Sequence, residues 1–260
     1  MKIKQLFFIP LALMGLSSGN AAMVLHYTLD DDGGGQAINT NSGTGVHSWG
    51  STAGGATTTG KFGEAADFTT GGWWSNASTG VDLSSFTLSL HVRTSATAKW
   101  DDFITIGTGA NVVFALEQAG DVTGGLSVSL FNIGSVGGVA TPGINSGEVS
   151  GPVNDGNWHH LGIVSDGSEV KLFMDGVERG SAAYTGTGNI DAIQFASRFG
   201  DSARKIVTDL DDVALYNTAL SSSQMGWLSN NAAIGVPVPE PSAFALFGVG
   251  AVTALFRRRR

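Results

Sequence analysis

The tandem pair His159-His160 and the close acidic pairs Asp30–Asp32, Asp101–Asp102 and Asp211–Asp212 are side chains whose type and spacing could do chemistry. Two carboxylates flanking a glycosidic bond can hydrolyse it, one as acid and the other as nucleophile or base. A histidine pair could move protons near neutral pH. The histidines fail as a pair, because adjacent residues of a strand point to opposite faces, and 159–164 carries a strand pattern. The acidic pairs lie among turns or in a structural strand motif, and the chain has neither a Gly-x-Ser-x-Gly elbow nor a His-Glu-x-x-His zinc site. With no cysteine, thiol catalysis, Cys-zinc sites and iron–sulfur clusters are excluded. What remains is hard oxygen donors in glycine-rich turns, which suit Ca²⁺. No EF-hand spacing is present.

Tryptophan offers a second chemistry, stacking on the apolar face of a sugar. Trp73-Trp74 stands in a Gly-Gly-Trp-Trp-Ser-Asn stretch that reads as a loop, and these two are the candidate ligand-binding residues. Trp49 and Trp100 also lie in or beside loops, whereas Trp158 and Trp227 read as core.

The elements that position these residues are strands. In Phe86-Thr-Leu-Ser-Leu-His-Val-Arg, Phe86, Leu88, Leu90 and Val92 share one face, with Thr87, Ser89, His91 and Arg93 on the other. Short runs of this kind recur at 103–106, 112–117, 126–133, 159–164, 169–174 and 190–196. Asp166-Gly167 and Asp175-Gly176 mark hairpin turns. Ser221 with Gln224 makes a capping box, and Met225 with Leu228 gives one short helix an apolar face. Thirty-eight scattered glycines indicate many tight turns rather than a repeat array. The prediction is an all-β protein, an antiparallel two-sheet sandwich with one short C-terminal helix.

Both ends carry targeting signals. Lys2 and Lys4 precede an apolar run from Leu6 to Leu16, followed by small residues, the three parts of a signal peptide cleaved after Ala21 or Ala22. At the other end Pro239-Glu240-Pro241 precedes the uncharged 15-residue run Ser242–Phe256 and then Arg257, Arg258, Arg259 and Arg260. As a helix that run would span roughly 22 Å, less than the roughly 30 Å hydrocarbon core. The arginines would hold its end in the cytoplasm. The expected organisation is a signal peptide at 1–22, one domain at 23–236, and a tail at 237–260 with a short transmembrane helix.

These three tail parts, in this order, resemble the PEP-CTERM sorting signal. The resemblance implies processing by an exosortase near Pro239-Glu240-Pro241, with transient residence in the inner membrane before the cell surface or medium. Outside residues 1–22 and 239–260 the chain keeps 8 of its 14 Lys+Arg and 21 of its 22 Asp+Glu, a net of −13. That charge argues against nucleic acid and anionic membranes as partners.

A second resemblance covers the domain. Gly60-Lys-Phe-Gly-Glu-Ala-Ala-Asp-Phe68 is similar to a "GKFGGALxF" strand, and Phe86 to Val92 to "FTISxWV". Trp158-His159-His160-Leu161 with Val170 to Gly176 is similar to the "WHHVAxxxDGxxxxLYVDG" hairpin, and Leu210 to Ser221 to "IDEVRIYNRALS". Together they resemble the LamG-like jellyroll domains of the concanavalin A-like lectin/glucanase superfamily. His91 stands where the family's strand usually has tryptophan, and alternation places it on the outward surface. The superfamily's retaining glucanases carry a Glu-x-Asp-x-Glu strand, which this chain lacks. Jellyroll relatives often hold a structural Ca²⁺ between first and last strands, which here implies Asp30 and Asp211 as ligands. The expected function is non-catalytic binding of polysaccharide or another envelope component. A matrix protein without a ligand is the alternative, and a glycoside hydrolase a more distant one.

Overall fold

The computed structural model describes residues 23–31, 37–39, 46–48, 57–68, 73–76, 79–97, 100–108, 111–118, 126–131, 140–145, 152–184, 188–198 and 204–237. The signal peptide, Trp49, the Pro-Glu-Pro triplet and the arginine tail lie outside them. All described residues belong to the compact unit Ala21–Pro237.

The strands are β1 (Met23–Asp31), β2 (Ala37–Asn39), β3 (Val46–Ser48), β4 (Thr57–Thr59), β5 (Glu64–Asp67), β6 (Trp73–Asn76), β7 (Phe86–Arg93) and β8 (Asp102–Thr108). They continue with β9 (Asn111–Gln118), β10 (Leu126–Phe131), β11 (Ala140–Asn145), β12 (Trp158–Ser165), β13 (Glu169–Met174), β14 (Val177–Ala183), β15 (Ala192–Phe195) and β16 (Asp209–Tyr216). One helix follows, α1 (Ser222–Leu228).

The first sheet runs β14-β13-β12-β7-β16-β1-β2, with β5 also on β16 and β4 on β5. The second runs β11-β10-β9-β8-β15-β6-β3. First and last long strands thus lie side by side in the middle of one sheet, as a jelly roll requires. Between the sheets Phe86, Leu88, Leu90 and Val92 meet Ile104, Ile106, Phe114 and Leu116 in one buried core. Fully burying each such side chain is worth about 1.5–3 kcal/mol, so the alternation in β7 is enough to fix which face turns inward.

The other face of β7 is also covered. The expected capping box forms, with the Ser221 side chain on the Gln224 amide and the Gln224 side chain on the Ser221 amide. It starts α1 so that Met225 and Leu228 pack on Val164, Phe173, Ala214 and Tyr216. Gly162 leaves the space this needs, since a Cβ there would run into the Met225 Cε.

This covering corrects the expectation for His91. It does lie on the face away from the core, but it is only 1 % exposed, closed in by neighbouring elements rather than part of the sheet surface. The Phe62 ring stands edge-on to it, 5.0 Å between centroids. Period-2 alternation reports which face a residue takes, and a helix or turn docked there decides whether that face is wet.

Candidate functional site

Four arrangements gather the polar side chains. The first is the turn Gly60–Gly63, gripped by two carboxylates. Asp211 Oδ2 accepts the Phe62 N–H at 2.8 Å, and Asp30 Oδ1 accepts the Glu64 N–H at 2.7 Å. Only glycine fits between them: a Cβ on Gly60 would lie 2.7 Å from Asp211 Oδ2, and one on Gly63 2.7 Å from Asp30 Oδ1. Asp30 lies in β1 rather than in the expected turn, yet it meets the same loop as Asp211. Asp211 Oδ1 is buried without a hydrogen-bond partner. Burial pushes the Asp211 carboxyl up to about 7, and the charges of Asp212 and Asp30 add to this.

These donors fit a hard cation in kind: facing carboxylates with one orphaned buried oxygen. Calcium takes about six to eight oxygens, and among the described residues no three His, Asp or Glu side chains cluster as a metal cage. Backbone or water oxygens would have to complete a site on Asp30 and Asp211.

The second arrangement is a lateral row on the first sheet, where His160 pairs with His91 and His91 with Asp211. His160 Nε2 lies 2.9 Å from Ser89 Oγ, and the two imidazoles are 5.0 Å apart. Desolvation lowers His91 to about 4 and His160 to about 3, so both are neutral at pH 7. His159 points the other way, to Asp175 Oδ2 at 2.9 Å and Asp155 Oδ1 at 3.1 Å. As expected, the tandem histidines do not share a site.

The third arrangement left no trace in the sequence. Asp102 and Glu117 are paired across β8 and β9, and Arg198 bonds Asp102 at 2.8 and 3.0 Å and also Glu117. Asp102 therefore opens a strand instead of lying in a turn. Burial pushes its carboxyl up to about 8 against the pull of Arg198. Both carboxylates are fully buried, so they hold the chain after β15 to the sheet and present no face to a substrate.

The fourth is open. At one end of the first sheet a cleft of about 370 Å³ is bounded by Thr58, Asp67, Arg93, Ser95, Asp209 and their neighbours. Arg93 Nε donates to Asp209 Oδ2 at 2.7 Å, Arg93 Nη2 to Thr58 Oγ1 at 3.2 Å, and the guanidinium lies 4.8 Å over the Trp158 ring. Trp158, read as core, is only half-buried. Arg93 had no role beyond its outward position in the strand.

The candidate tryptophans are not in a loop. Trp73 and Trp74 are consecutive residues of β6, registered against Phe195 and Gln194 of β15. They occupy successive ladder positions, where the Gly-Gly flank predicts a loop. Trp100 is 40 % exposed with φ +64°. Trp227 packs, partly buried, against the cluster under α1.

The chain that leads to the tail is tied down. Tyr216 Oη donates to the Ala233 carbonyl at 3.0 Å, and Gln224 Nε2 to the Pro237 carbonyl at 2.9 Å. Among the described residues no helix is long and apolar enough to cross a membrane; the run Ser242–Phe256 lies outside them.

Two antiparallel sheets packed face to face, a single edge helix and a polar cleft at the strand ends define a jelly-roll sandwich of lectin-like build. The chain belongs to the concanavalin A-like lectin/glucanases superfamily, whose family model matches residues 68–225. Residues 237–260 match the PEP-CTERM protein-sorting motif, a mark of proteins sorted to the cell surface or beyond. No curated protein matches the chain.

Among solved structures it is similar to the binding domain of Paraclostridial Mosquitocidal Protein 1, with TM-score 0.61, 16% identity, and 82% of this chain and 52% of that one covered. It is also similar to domain 4 of AbnA, a GH43 extracellular arabinanase from Geobacillus stearothermophilus, solved with arabinotriose: TM-score 0.56, 20% identity, coverage 81% and 99%. The botulinum neurotoxin serotype G binding domain gives TM-score 0.59 at 13% identity, with coverage 80% and 50%. The chain thus spans about half the length of the toxin binding domains it matches. At these identities the likeness shows the fold alone.

Proposed function

We propose that this is an exported, exosortase-processed protein of the cell surface or extracellular matrix, whose domain binds polysaccharide or another envelope component without catalysis. The observation that carries this reading is a sorting motif at 237–260 directly following a lectin-like sandwich. The AbnA domain, a binding partner of arabinotriose in its own structure, supports a sugar as ligand. Four of the described carboxylates support a non-catalytic role: Asp30 and Asp211 hold a turn, and Asp102 and Glu117 are buried on Arg198.

In this reading residues 1–22 are removed as a signal peptide, 23–236 form the binding domain, and 237–260 are held briefly in the inner membrane by Arg257–Arg260. Exosortase then cuts near Pro239-Glu240-Pro241. Trp73 and Trp74 remain candidates for ligand contact, and Asp30 with Asp211 for a structural Ca²⁺. The test is an array of neutral and acidic polysaccharides probed with the exported protein. Saturable binding to any glycan supports the reading. No binding to any of them leaves a structural matrix protein, and release of sugar fragments would make it a hydrolase.

A further inference from the structure

We propose that the cleft between Arg93 and Asp209 is the glycan subsite, and that it takes a neutral sugar unit through two adjacent hydroxyls. This rests on the glycan-binding reading above and gives it a place. The cleft, about 370 Å³, falls in the range of about 300–1,000 Å³ usual for small-ligand sites.

Its chemistry is that of a diol clamp. Arg93 commits one N–H to Asp209 and one to Thr58, and its other guanidinium N–H groups have no partner among the described residues. Asp209 Oδ2 takes the Arg93 bond, while its Oδ1 has no partner among the described residues and is not sealed from solvent. A carboxylate oxygen and guanidinium donors thus stand side by side at the cleft. A sugar hydroxyl both donates and accepts, so two neighbouring hydroxyls can give a proton to Asp209 and accept from Arg93 at once.

The clamp is pre-set. Thr58 and the Trp158 ring hold the guanidinium in place. Below it Thr94 Oγ1 donates to the Val207 carbonyl at 2.6 Å, and Thr208 Oγ1 to the Arg93 carbonyl at 3.2 Å. A sugar would then meet groups whose freedom is already spent, which lowers the ordering cost of binding. The charge selects the ligand. Asp67, the register partner of Asp209, also lines the cleft, so a uronate would enter beside two acidic side chains where a neutral sugar carries no charge to oppose them.

The experiment compares the exported protein with Ser95→Trp, Asp209→Asn and, as a control on the exposed surface of β14, Val177→Ser. Each is titrated with neutral β-glucan, galactan and xylan oligosaccharides and with oligogalacturonate. Ser95 is an exposed wall of the cleft, so Ser95→Trp fills it without disturbing the core; melting curves check each fold. The subsite predicts that Ser95→Trp and Asp209→Asn each weaken neutral-glycan binding about tenfold or more, while Val177→Ser binds as wild type. Wild-type affinity in Ser95→Trp overturns the subsite and leaves glycan binding standing. Tighter binding of oligogalacturonate overturns the neutral class. A wild-type protein that binds none of the probes sinks both the subsite and the glycan-binding function.

Discussion

His26 and Asp212, 186 positions apart, meet as a buried pair with Nε2 2.6 Å from Oδ1, fastening the first strand to the last. The other Asp212 oxygen accepts the Ala233 N–H at 2.7 Å. One carboxylate therefore joins β1, β16 and the chain that leads to the tail. Asp212 sits at φ +50°, within the register shift of β16 between Asp211 and Ala214. Past that bulge β16 changes neighbours: Val213–Tyr216 pair with β1, and Asp209 and Leu210 with β5.

Asp212→Ala should therefore destabilise the domain by about 3 kcal/mol or more, the usual cost of stripping one partner from a buried pair. Asp212→Asn should cost less, because asparagine tolerates the left-handed backbone and keeps an acceptor. Urea melts of both, and of His26→Ala with the double variant, would check this. Additive losses in the double variant would show that the two side chains act separately.

Acid should weaken the fold through the buried histidines. His91 and His160 fall from about 6.5 to about 4 and about 3 on folding, so below pH 6.5 the unfolded chain binds more protons. Their contribution is complete above pH 6.5 and is lost as pH falls towards 4 and 3. Asp211 has the opposite sign. Its folded value of about 7 lies above the ordinary 3.8, so its contribution is present below pH 3.8 and lost as pH rises through 7. The groups that act on His91 are Asp212, Lys61, Asp175 and the Ser229 backbone. His91→Phe should flatten the acid limb of the stability curve between pH 6.5 and 4, and Asp211→Asn should raise stability above pH 7. Denaturant midpoints across pH 3–9 measure both, and an unchanged acid limb in His91→Phe would count against the row.

Calcium should raise the melting temperature if Asp30 and Asp211 hold it. At ~100 times its Kd a ligand adds about 2.7 kcal/mol, a clear shift in a thermal scan. Asp211→Ala should abolish the difference between Ca²⁺ and EDTA. Identical wild-type curves in both would remove the metal.

The tail makes the remaining prediction. Replacing Pro239-Glu240-Pro241 with alanines should leave the protein exported but retained in the inner membrane. Deleting Arg257–Arg260 should instead weaken retention before cleavage, because the short apolar run anchors poorly without a charged end. Cell fractionation with an antibody to the domain follows both variants. Release of the alanine variant at normal size and rate would show that the triplet is no processing signal.

The sequence by itself determined what depends on neighbours along the chain. Alternation placed β7 over Phe86–Arg93, the Asp-Gly pairs closed the hairpins at 166–167 and 175–176, and Ser221 with Gln224 started α1. Residue types at fixed spacing also exposed the sorting motif, because all of its parts are neighbours along the chain. Tertiary structure alone decided the rest. Nothing local says that Arg198 will bridge Asp102 and Glu117, that His26 will reach Asp212, or that Arg93 will lie between Asp209 and Trp158. Those contacts join strands far apart in sequence, and their geometry exists only once sheet order and the bulge in β16 are set. Burial is non-local for the same reason: α1 and the Gly60–Gly63 turn, not the pattern of β7, made His91 an interior residue.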